Sequence, residues 1–79
     1  MNGLLEQISA AVIQGNLEDI SGLTEEALHD GLSAEEILSQ GLMPGMDHVG
    51  AEFKAGTMFV PELLRSARAM QTSMDILRP

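Results

Sequence analysis

Seventy-nine residues bound the chain to one small domain, near the size at which a single hydrophobic core is only just sufficient. An apolar fraction of 44% is too high for a disordered chain despite the net charge of −8, and the absence of cysteine excludes disulfide staples and cysteine-based zinc sites, so stability must come from helix packing, oligomerisation or a neighbouring domain. Ten acids and no lysine or arginine precede Lys54, a charge of −10, whereas four bases against two acids from there onward give +2; a chain of this kind repels phosphate backbones and anionic lipid, which sets nucleic acid and membrane surfaces aside as partners.

Apolar residues recur at helical spacing throughout, so the expected class is all-α. Leu4, Leu5, Ile8, Ala11 and Val12 form a first stripe that Gly15 stops, with Asn16 placed to cap the next helix. Leu17, Ile20, Leu23, Ala27 and Leu28 form the second, weakest at Ser21-Gly22 and closing at Gly31. Ser33 and Glu36 have capping-box spacing and predict a third helix from about Ala34. Pro44 has no backbone N–H, and with Gly41 and Gly45 beside it the helix is expected to break near 40–43 and resume with Leu42, Met46, Val49 and Phe53 on one face. Gly50 lies one turn before Phe53, where a missing side chain admits another backbone or a ligand. Gly56 ends this helix, and after Thr57-Met58-Phe59-Val60 a last one starts at Pro61 with Leu63, Leu64, Ala67, Met70, Met74 and Leu77 as its stripe, the arginines lying mostly on its other side. The expected architecture is an antiparallel four-helix bundle with a broken third helix. Phe53 then ends one helix and Val60 begins the next, so both emerge at one end, with Met58 and Phe59 as an apolar tip between them.

Chemistry is sparse. A nucleophile–base pair needs Ser or Thr beside His29 or His48, and no nucleophile motif surrounds either, so the chain reads as a non-catalytic domain. His48 and Glu52, four apart, share a helix face, but two ligands do not make a zinc site. Phosphate-binding glycine loops are absent. Of the six methionines, Met46, Met70 and Met74 fall on core stripes, while Met43 and Met58 lie at breaks, where they are free to face a partner. Taken alone, Phe53 reads as core. No apolar run approaches the roughly 20 residues of a membrane span and no secretory n-region opens the chain, which makes a cytoplasmic location the expectation.

The block Gly41-Leu42-Met43-Pro44-Gly45-Met46-Asp47-His48-Val49-Gly50-Ala51-Glu52-Phe53, followed by Gly56-Thr57-Met58-Phe59-Val60-Pro61-Glu62-Leu63-Leu64 and Ser66-Ala67-Arg68-Ala69-Met70, resembles the amino-terminal helical cap domain of corrinoid (cobalamin-binding) methyl-carrier proteins, the module also found beside the cobalamin domain of methionine synthase. The likeness extends upstream through Ala27-Leu28, Gly31-Leu32 and Glu36-Ile37-Leu38, and so covers nearly the whole chain, most specifically in its central block. It implies a bundle over the upper face of the corrin ring, shielding the cobalt-bound methyl group until the cap moves aside for a substrate-specific methyltransferase. In the family the Phe of Val-Gly-x-x-Phe faces the methyl group, which falls on Phe53, and a Leu seven positions later falls on Val60, one carbon smaller; Met58, Phe59 and Gly50 complete the implied cofactor face.

The family's Asp-x-His-x-x-Gly motif, whose His coordinates cobalt from below, does not occur here. Residues 1–79 therefore read as the cap alone, and the resemblance implies cobalamin binding only together with a following α/β cobalamin domain as partner. Left to itself, the fragment has an apolar tip to bury by self-association into a homo-oligomer. The alternative reading is a free-standing acidic helical module whose apolar end meets a protein partner.

Overall fold

In a computed structural model that describes residues 3–78, Gly15 leaves the first helix with φ +68°, and the side chain of Asn16 accepts the backbone N–H of Asp19 to start the second. These two residues separate α1 (Gly3–Gln14) from α2 (Leu17–His29). The expected domain limits, residues 1 and 79, lie outside the described residues. Helix α2 runs through Ser21-Gly22 without interruption. At Ser33 the full capping box is present: its hydroxyl accepts the Glu36 N–H, and the Glu36 carboxylate accepts the Ser33 N–H, each at 3.1 Å.

The expected interruption of the third helix is present, as a widened turn and not as a gap. After α3 (Ala34–Ile37) the chain widens into a π-helical turn over Leu38–Leu42 and continues directly as α4 (Met43–Ala55), with the Met43 N–H reaching back to the Leu38 carbonyl. A prolyl ring at position 44 collides with the carbonyl four residues earlier in a regular α-helix, and the wider turn relieves that collision without releasing the chain. The turn is held from outside: the Ser9 hydroxyl of α1 donates to the Gly41 carbonyl at 2.5 Å. A Cβ at Gly41 would lie 3.1 Å from the Ile8 side chain, and one at Gly45 would lie 3.0 Å from the Ser9 carbonyl oxygen and 3.1 Å from Val12. Helix α1 and the π–α4 segment thus meet where the sequence has removed side chains.

Helix α5 (Val60–Leu77) closes a bundle of four helices, the third being α3, the π turn and α4 together. No strand occurs among the described residues. Helices α1 and α5 touch each other and both touch α2 and α4, so α2 and α4 lie on opposite flanks. The core consists of Leu5, Ile8, Ala11 and Val12 of α1, Ile20 and Ala27 of α2, Ile37, Leu42 and Ala69.

Two expected stripes are shifted. On α5 the buried positions are Ser66, Ala69 and Ser73, while Leu64 and Met74 are exposed. On α2, Thr24 is buried between Ile20 and Ala27, and Leu17 and Leu28 lie at the surface. The reason is hydrogen bonding across small side chains: the Thr24 hydroxyl donates to the Ile20 carbonyl at 2.7 Å and lies 2.6 Å from the Ser73 hydroxyl, and the Ser66 hydroxyl donates to the Ile13 carbonyl at 3.3 Å. With these hydroxyls satisfied, polar residues take the inside of the seam at little cost.

Candidate functional site: an apolar end between two helices

Helix α4 ends by chemistry that the sequence carries locally. Gly56 turns left-handed with φ +82°, its N–H reaching the Phe53 carbonyl, and the Glu52 carbonyl accepts both the N–H and the hydroxyl of Thr57 at 3.0 Å. Three residues later the Glu62 carboxylate accepts the Phe59 N–H at 3.0 Å, and Val60-Pro61 opens α5. The short connection therefore has both its ends tied by hydrogen bonds, from backbone and side chain alike, and it brings the last turn of α4 beside the first turn of α5.

Large apolar side chains stand out at this end. Phe53 is 41% exposed, Phe59 70%, Val60 53% and Leu64 63%. Phe53 is thus not a core residue, as its stripe alone suggested. Gly50 is exposed, and a Cβ there would meet nothing within 4 Å. Among the described residues, none makes the close approach that its missing side chain admits. Met58 requires a correction: instead of facing outward beside Phe59, it is buried, 8% exposed, while Thr57 and Phe59 on either side of it are exposed. Phe59 and Val60 form the tip. Met43, by contrast, is exposed as expected. Leu64 was missed because an apolar residue one turn after Val60 reads as core until the hydroxyl-lined inner face of α5 is known.

The polar surroundings are modest. His48 Nε2 lies 3.0 Å from Glu52 Oε1 along the outside of α4, an exposed pair one turn apart, and His29 is exposed at the end of α2. Among the described residues, no group of three or more His, Asp and Glu side chains is gathered as a metal site. No helix among them is long and apolar enough to cross a membrane. What this end offers is an apolar surface, with open space over Gly50 and without a metal-ligand set of its own.

Comparison with known proteins gives the surface a context. A family described as a B12 binding domain matches residues 4–78. The chain is 37% identical over 76 residues to monomethylamine corrinoid protein 2 of Methanosarcina acetivorans, and 32% identical over 76 residues to trimethylamine corrinoid protein 1 of the same organism, in each case over 96% of this chain and 35% of the relative. The solved structure of the Methanosarcina barkeri monomethylamine corrinoid protein superposes with a TM-score of 0.91 at 32% identity, over 94% of this chain and 35% of that one. The chain thus spans about a third of the length of these relatives. From the matched residues and the superposed bundle, it follows that the chain belongs to the B12-binding domain family, as the helical cap domain of corrinoid proteins.

Proposed function

We propose that the apolar end of the bundle covers the upper axial face of cobalamin in a corrinoid methyl carrier, with Phe53 and Val60 nearest the methyl group, Phe59 at the rim, and Gly50 leaving room for the ring. The observation that carries this reading is the exposure of Phe53, Phe59 and Val60 together at one end, against the usual preference of such side chains for burial. The residues suit one side of a corrin: they present apolar contact and no competing ligand, and His48, the histidine on this helix, is already engaged by Glu52. The cofactor supplies the methyl-transfer chemistry when bound. This chain's part is exclusion of water and of stray nucleophiles by Phe53, Phe59 and Val60, whose lack of hydrogen-bonding groups keeps the covered space dry. Met58, buried beside them in the chain, is a part of the fold and not of the exposed cover.

One apolar face does not enclose a ligand of this size, so the reading includes a cobalamin-binding α/β domain as partner and a substrate-specific methyltransferase for which the cap moves aside. The cap itself is non-catalytic. The test is Phe53→Asp in a carrier joining this chain to its cobalamin domain. A charged group against the methyl face is expected to admit water and shorten the lifetime of bound methylcobalamin under light several-fold, whereas Phe53→Leu preserves it. An unchanged lifetime in Phe53→Asp would remove Phe53 from the cover.

A further inference from the structure

A second surface begins where the apolar end leaves off, at Leu64, and continues onto the α2 flank. There Leu17, at the first turn of α2, and Pro61 and Leu64 of α5 line an open apolar groove edged by Arg65 and Arg68. In a chain with twelve acids and four bases, neither guanidinium has a carboxylate or a hydrogen-bond acceptor within reach among the described residues: the ion pairs there are His48 with Glu52 and Arg78 with Asp75. Arg65 is also placed by the fold. Its Cγ and Cδ occupy the space that a Cβ on Gly15 would fill, so the stem lies over the α1–α2 turn, while the hydrogen bond from neighbouring Ser66 to the Ile13 carbonyl fixes that turn of α5 against α1.

We infer that the groove formed by Leu17, Pro61, Leu64, Arg65 and Arg68 docks an acidic, amphipathic segment of a partner protein, with apolar side chains against the leucines and carboxylates on the two arginines. The charge distribution selects this occupant. A second copy of the chain brings −8 against −8, and an extended phosphate polymer meets the ten acids ahead of Lys54 as soon as it leaves the arginines. A peptide-sized segment meets only the local positive edge, where planar guanidiniums match carboxylates and the leucines match apolar side chains. This goes beyond the reading of the apolar end and does not depend on it, since the groove lies on the α2 side and needs no cofactor.

The test uses the isotope-labelled chain and a blocked helical peptide built of Glu, Ala and Leu, with a counterpart in which every Glu is replaced by Gln. The expected result is a set of amide shift changes centred on Leu17, Leu64, Arg65 and Arg68 with the Glu peptide alone. They should weaken at least about tenfold in apparent affinity in Arg65→Gln/Arg68→Gln. They should also fade as ionic strength rises from about 10 mM to about 1 M, which shortens the Debye length from about 30 Å to about 3 Å. Both arginines are exposed, so the variant spectrum should otherwise match that of the parent. No response, an equal response to the Gln peptide, or a response centred on Phe53 and Phe59 would overturn the assignment. Concentration-dependent shifts at the same residues without peptide would also overturn it, making a second copy the occupant.

Discussion

Gly45 and Gly50 stand on the same helix, five residues apart, and the surroundings give them opposite consequences. A Cβ at Gly45 would press on the Ser9 carbonyl oxygen at 3.0 Å, a backbone atom held by α1 that has little freedom to retreat. Gly45→Ala is therefore expected to destabilise the chain by about 1–3 kcal/mol, the usual cost of overpacking, read as a lower urea midpoint with unchanged slope. Gly50 has open space and ordinary helical backbone, so Gly50→Ala should raise stability by about 0.5–1 kcal/mol through helix propensity alone. If both substitutions destabilised alike, Gly50 would have a structural neighbour and would not be the vacant position that the proposed cofactor face uses. A stabilising substitution left unused at an exposed helical position is itself consistent with something other than stability setting that residue.

Helix ends were legible in the sequence because their chemistry is local: Asn16, Ser33 with Glu36, and Gly56 each act on backbone groups within a few residues, and each does so in the structure. The π turn was not, since Pro44 forbids a regular α-helix but does not say whether the chain breaks or widens; Ser9 and Ile8, more than thirty residues upstream, decide it. The inner face of α5 was illegible for a related reason. An apolar pattern assigns Leu64 and Met74 inward, and only the meeting of Thr24 with Ser73 makes hydroxyls acceptable there. Because the Thr24 proton lies toward the Ile20 carbonyl, Ser73 is the donor of that pair. A double-mutant cycle of Thr24→Val and Ser73→Ala should then show a favourable coupling of about 0.5–1.5 kcal/mol, and a coupling of zero would mean that the seam is held by packing alone. The candidate site divides along the same line: helix lengths placed Phe53 and Val60 at one end, while the path of the connection, which the sequence does not encode in any short motif, buried Met58 and exposed Phe59.

Folding draws the acids of the first 53 residues into a body with a radius of gyration of 11.8 Å, against roughly 27 Å for an unfolded chain of this length. The ion pairs among the described residues are both exposed and both within one helix or its end, so they offset almost none of that crowding. The −10 ahead of Lys54 therefore acts on the native state as unscreened repulsion at low salt, at separations comparable with the Debye length of about 10 Å at 0.1 M. Raising NaCl from about 10 mM to about 150 mM should then stabilise the chain by ~1 kcal/mol, or ~4–8 °C in thermal midpoint for a domain of this size. A neutral osmolyte at the same osmolality should not reproduce the rise, which separates screening from a general solvent effect. A midpoint that falls with salt would mean that the positive edge at Arg65 and Arg68 attracts the chain's own acids more strongly than those acids repel one another. The groove beside those arginines would then be an internal counterweight, and its availability to an acidic partner would be lost along with the prediction.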